Sequence, residues 1–169
     1  MRGFTLLETL IAILIFSVIV VAMGMTVVAG QRSLFTTDVP TQLRQSILFS
    51  LITMSKELRQ TAPSKTNLAS GTSSNTITFQ IPHDNDADGS TVDIDGTIEW
   101  GNSITYTLNG NQIIRTQNGV NKILGSNISG LLFTRPSGNN TIQLDITAQA
   151  QNNTGNWTDT EQAIITMRN

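Results

Sequence analysis

The sequence predicts an α+β protein: one long N-terminal helix laid on an antiparallel β-sheet. Three observations carry this. Thr9 to Gln31 holds no charged residue. Leu43, Ile47, Leu51, Met54 and Leu58 then recur at helical steps. After Pro63, short runs of alternating apolar and polar residues are separated by Gly- and Asn-rich turns.

Composition bounds the function. The chain has 169 residues, one domain's worth, and a formal net charge of -2. There is no basic surplus and so no clear nucleic-acid signal. Only 13% of residues are charged, while Asn, Thr, Ser, Gln and Gly are abundant. That mix suits an exported, loop-rich β domain. No cysteine is present, which excludes disulfides and thiolate metal sites. The single histidine, His83, lies in a polar Pro-His-Asp turn and reads as a loop residue. A Ser-His-Asp set would have to use it, so no credible catalytic set remains.

The first helix is apolar on every face from Leu10 to Met23, apart from Ser17. About 20 such residues cross a hydrocarbon core of about 30 Å. A soluble helix would keep a polar stripe. A cleaved secretory signal needs an apolar core of only about 7–15 residues, and the uncharged run from Thr9 to Gln31 is longer. Arg2 is basic and should stay on the cytoplasmic side, leaving the C-terminal part outside.

Glu8 stands at the head of this span. A carboxylate in a bilayer costs roughly 2.5–3.5 kcal/mol, which asks for a role. No lysine or arginine lies within a helical turn on the membrane side. A cut between Gly3 and Phe4 would create an amine at Phe4, one helical turn from Glu8. That amine could pair with Glu8 of its own chain or of a neighbouring copy. In the second case Glu8 sets the register of packing. The helix dipole adds a little to either.

Gly3-Phe4-Thr5-Leu6-Leu7-Glu8, followed by some twenty apolar residues, resembles the class III signal of type IV pilins and type II secretion pseudopilins. The resemblance implies cleavage after Gly3 by prepilin peptidase, N-methylation of Phe4, and a role for Glu8 in filament assembly. It divides the chain into a leader at 1–3, a membrane-spanning and filament-core helix at 4–31, an amphipathic helix at 32–62 and an antiparallel β head at 63–169. It implies a single pass of the inner membrane with the N-terminus inside. A periplasmic or extracellular filament follows. The implied partners are other pilin or pseudopilin subunits, the peptidase, the inner-membrane assembly platform and, before assembly, the lipid bilayer.

Pro40 predicts a kink or short break near Thr37–Pro40, with Asp38 capping a new helical start. The amphipathic helix from Pro40 to Ala62 should cover the sheet, and Pro63 should end it. Strands are expected at Ile77–Ile81, Ile104–Leu108, Gln112–Thr116, Lys122–Leu124, Leu131–Arg135, Thr141–Gln151 and Ala163–Arg168. Asn109-Gly110 and Asn118-Gly119 mark hairpins. Trp157 falls in an expected Asn/Thr/Gly loop, to pack on the sheet end or to make an exposed contact. The series from Ser103 to Phe133 resembles the minor-pilin branch with PilW-type pilins and pseudopilin J.

Asp84, Asp86 and Asp88 alternate before Gly89, and Asp95 follows six residues on. This is the spacing of a calcium loop, with the Ser90 carbonyl as backbone ligand. Strands rather than helices flank it, so an EF-hand is excluded. Two readings stand, a calcium site or an exposed acidic turn, and some related pseudopilins use calcium. The functional expectation is a non-enzymatic minor subunit that starts or caps a filament. The rivals are an abundant shaft pilin and a tip module for adhesion or DNA uptake.

Overall fold

A computed structural model describes residues 5–152 and 155–168, and of residues 32–39 and 152 the backbone alone. Gly3, Phe4 and the expected leader lie outside these. The chain is a long helix followed by antiparallel sheets, the α+β class expected. It falls into two compact units, Met1–Val39 and Pro40–Asn169.

Helix α1 is assigned over Leu6–Leu58, 53 residues. In the first unit, Leu6–Gln31 is long and apolar enough to cross a membrane, and its large apolar side chains are exposed. Its hydroxyls bond back to the helix. Thr9 Oγ1 donates to Leu6 O at 2.9 Å, Ser17 Oγ to Leu14 O at 2.8 Å and Thr26 Oγ1 to Met23 O at 2.7 Å. A span in lipid has to satisfy its polar groups internally, and these do. The expected break near Pro40 is absent: the helical assignment continues through it, and Asp38 lies inside the helix. A proline deletes one intrahelical bond, which a long helix can lose.

In the second unit, Leu43, Ile47, Met54 and Leu58 are buried and Leu51 is half-buried, as the helical spacing requires. The helix ends at Leu58 rather than Ala62. Gln60 N donates to Glu57 O at 3.0 Å in a closing turn, and a 3-10 turn follows at Pro63–Lys65.

Among the described residues eight strands follow: β1 Thr72–Ser74, β2 Thr76–Phe79, β3 Ile104–Asn109, β4 Gln112–Gln117, β5 Val120–Ser126, β6 Ile128–Arg135, β7 Thr141–Asn152 and β8 Gly155–Thr166. They form two four-stranded sheets, β1-β6-β7-β8 and β2-β3-β4-β5, not the single sheet expected. The chain changes sheets at single residues. Asn75 separates β1 from β2, and Asn127, with φ 62°, separates β5 from β6. Asparagine tolerates that left-handed conformation better than most residues. Strand β6 also approaches β2, β3 and β4, so the sheets share a core. Ile77, Phe79, Ile104, Tyr106 and Ile113 fill it from one side, and Phe133, Ile142, Leu144 and Ile146 from the other.

Asn118-Gly119 forms a two-residue hairpin with φ of 54° and 76°, the positive pair of a type I′ turn. The other hairpin is shifted by one: Asn109 pairs with Gln112, so Gly110-Asn111 is the loop. Strand β8 begins well before Ala163, and Trp157 is a strand residue paired with Ala150.

The helix meets β5 closely. Ser46 Oγ accepts from Ser126 N at 2.9 Å and donates to Ser126 O at 3.0 Å. Gly125 leaves room for this: a Cβ there would lie 3.1 Å from Ser46 Oγ and sharply overlap Ser50 Oγ.

Candidate functional site

Two regions carry the residues singled out by the sequence. The first is the acidic segment between β2 and β3. Pro82 bridges Trp100 and Val92 bridges Ile98, so the segment folds back on itself as an irregular hairpin. Its carboxylates organise the backbone. Asp84 Oδ2 accepts from Gly89 N at 2.9 Å, Asp86 Oδ1 from Asp88 N at 3.2 Å and Asp88 Oδ1 from Ser90 N at 2.7 Å. Ala87, at φ 63°, and Gly89, at φ 89°, take left-handed conformations that allow the tight path. The Gly89 amide, the leading cause, holds the Asp84 carboxyl below its usual range. Asp95 Oδ1 takes hydrogen bonds from Thr97 Oγ1 at 2.6 Å and Thr97 N at 2.8 Å, and these lower its pKa.

Three carboxylates converge. Oxygens of Asp84, Asp86 and Glu99 lie within 4.8 Å of one another. Asp84 Oδ1 is buried and has no hydrogen-bond partner among the described residues. Glu99 Oε2 accepts from Asn85 N at 2.5 Å, which holds it beside the loop. Asp88 and Asp95 are not in this group. Glu99 escaped the sequence reading because it reaches the loop across the hairpin rather than by spacing along it. Hard oxygens of this kind suit a cation such as calcium, with water or carbonyls completing the six to eight ligands it takes.

The second region is the start of α1. Thr5 precedes the first helical residue, and its carbonyl accepts from Glu8 N at 3.0 Å and Thr9 N at 3.3 Å. Thr5 Oγ1 also accepts from Glu8 N at 3.4 Å. Thr5 is thus the N-cap and Glu8 the N3 residue, the positions of a capping box. Thr5-Leu6-Leu7-Glu8 contained that signature, and the sequence reading passed over it. Glu8 is exposed at the first turn, where a negative charge is favoured. Its pairing with the Phe4 amine lies outside the described residues.

Residues 1–24 match the family model described as the prokaryotic N-terminal methylation motif. The chain carries a pilin-type N-terminal signal. The match includes Gly3, Phe4 and Glu8, the residues expected at cleavage, methylation and assembly, and the first part of the apolar helix. A pilin-type signal marks a structural subunit that assembles with others of its class, anchored first by its apolar helix. No curated protein and no solved structure shows significant similarity to the chain.

Within the second unit, a polar network around Glu57 ties the C-terminal part of α1 to β3 and β4. Arg115 Nε donates to Glu57 Oε1 at 3.0 Å and Oε2 at 3.1 Å, and Tyr106 OH donates to Glu57 Oε2. Burial, then Glu57, pushes the Tyr106 phenol far above its ordinary value. Burial opposes the Arg115 charge, but the hydrogen bonds and charge of Glu57 outweigh it and raise its pKa. The network joins helix to sheet.

Proposed function

We propose that the mature chain is a minor subunit of a type IV pilus or secretion pseudopilus, acting in the complex that starts or caps the filament. Prepilin peptidase cuts after Gly3, Phe4 is N-methylated, and Glu8 guides the subunit to its place. The observation that carries the reading is the methylation motif over residues 1–24 running into an apolar helix at Leu6–Gln31. Before assembly the helix holds the chain in the inner membrane, N-terminus inside and head outside. The assembly platform then moves it into a periplasmic or extracellular filament beside other pilin or pseudopilin subunits. The low-copy role draws on the likeness of Ser103 to Phe133 to the minor-pilin branch.

The same proposal gives the acidic hairpin a calcium ion. Asp84, Asp86 and Glu99 supply the nearest carboxylates, and Asp88, Asp95 and the Ser90 carbonyl are the further candidates from the sequence. The ion would neutralise carboxylates that otherwise repel.

Quantitative mass spectrometry of sheared surface filaments against the membrane fraction tests the reading. A methylated Phe4 peptide at trace level beside a dominant pilin is the expected result. The same peptide as the main component makes the chain the shaft pilin. An intact Met1, or cleavage near Ala29, overturns the processed-subunit reading.

A further inference from the structure

Two surfaces of the second unit lie outside the converging Asp84-Asp86-Glu99 group, one of them including Asp95. The first is on α1. Leu48, Phe49 and Ile52 are 41%, 55% and 64% exposed, whereas Leu43, Ile47, Met54 and Leu58 of the core-facing row are buried. At 100° per residue they share one stripe, which Lys56 and Arg59 continue at its C-terminal end. Both cations are exposed, and among the described residues neither forms an ion pair. The helix dipole favours cations there but leaves them free for a partner.

The second surface is the tip of the acidic hairpin. Gly96 N donates to Asp93 O at 2.8 Å and Asp93 N to Thr97 O at 2.9 Å, closing a tight turn. Ile94 sits at its apex, 100% exposed, between Asp93 and Asp95. The carboxylates of both bond to nearby groups in the turn. A lone exposed isoleucine needs no account. This one is framed by two anions, whereas the helix stripe is apolar with two cations at its end. Among the described residues no hydrogen bond or ion pair joins the two surfaces within one copy.

We propose that the Asp93-Ile94-Asp95 tip of one copy docks on the Leu48-Phe49-Ile52 stripe of a second copy, with its carboxylates against Lys56 and Arg59. Sign and apolarity match on both sides. The surfaces differ, so the contact is heterologous: of two docked copies, one keeps a free stripe and the other a free tip. It needs only two adjacent copies and does not set the copy number. The proposal rests on the reading of the chain as a filament subunit.

The chain has no cysteine, which makes cross-linking clean. Full-length chains carrying Ile94→Cys and, separately tagged, Ile52→Cys are co-expressed and oxidised. Both the membrane and the sheared-filament fractions are probed for the mixed dimer. The expected result is a mixed dimer about tenfold or more above that from Ile94→Cys paired with Val120→Cys, an exposed control on β5. Lys56→Glu should lower the yield by a similar factor, and Asp93→Lys on the tip-bearing chain should restore it. Equal yield from the control pair, or no rescue, overturns the contact. So does a chain recovered in filaments without the mixed dimer, which leaves the subunit reading intact. A mixed dimer in membranes from a chain that never enters filaments keeps the contact and removes the subunit reading. A chain with neither dimer nor filament entry removes both.

Discussion

Glu8 combines two roles that one substitution cannot separate. As the N3 residue after the Thr5 cap it suits the first turn of α1 by position, and as a carboxylate it can neutralise an amine. Glu8→Ala removes both. Glu8→Gln keeps a capping side chain and removes the charge. If charge sets the register, both variants insert into the membrane at wild-type levels and both lose filament incorporation. Fractionation followed by filament shearing reads this out. A Gln variant that assembles normally would leave capping as the sole role. Asp84 and Asp95 bring a second, pH-dependent case. Their folded values lie below the ordinary aspartate value of 3.8, so each contributes stability that is fully present above that pH. The contribution is lost as pH falls through the lower folded values. Protection of the Gly89 and Thr97 amides, their exchange relative to an unstructured amide at the same pH, should therefore hold down to about pH 4 and fall below it. Loss of protection near pH 6 would contradict the carboxylate assignment.

At the scale of elements, the weld between α1 and β5 is the most exposed to test. A Cβ at Gly125 would meet Ser50 Oγ and lie 3.3 Å from the Ser46 carbonyl oxygen. Gly125→Ala should cost about 1–3 kcal/mol, seen as a lower midpoint in thermal or denaturant unfolding. Adding Ser50→Ala should restore part of that, because it clears the nearest atom but not the Ser46 backbone. A Gly125→Ala protein as stable as wild type would mean that helix and strand part readily. The helix face and most strands were legible because one side of each is buried: Ile142, Leu144, Ile146 and Ala148 alternate without exception. The first half of β8 was not legible. Its half-buried positions include Asp159 and Glu161, which face Arg44 at 3.9 and 3.8 Å, so the period carries charge instead of hydrophobicity. The second sheet was hidden for another reason. Alternation reports which face is buried, not which strand lies beside it, and the switches at Asn75 and Asn127 take one residue each. In the acidic hairpin the spacing pointed to Asp84 and Asp86. It missed Glu99, which fold-back brings to them.

For the molecule as a whole, each unit is suited to a different medium. The second unit buries its own core, from Leu43 to Met167. The apolar residues of the first, from Leu6 to Val28, are exposed and need lipid or other subunits around them. A charge in the middle of that run should act on one unit only. Ile15→Lys places an ammonium near the centre of the span, at a cost of roughly 2.5–3.5 kcal/mol for insertion. It should shift the chain from the membrane pellet to the soluble or aggregated fraction. Both tryptophans, Trp100 and Trp157, belong to the second unit, so their fluorescence reports on it alone. In detergent the thermal transition followed by that fluorescence should be unchanged by Ile15→Lys, while Gly125→Ala lowers it. A shift with Ile15→Lys would mean that the head draws stability from the span. Wild-type membrane recovery of the same variant would argue that Leu6–Gln31 is held by something other than the hydrocarbon core.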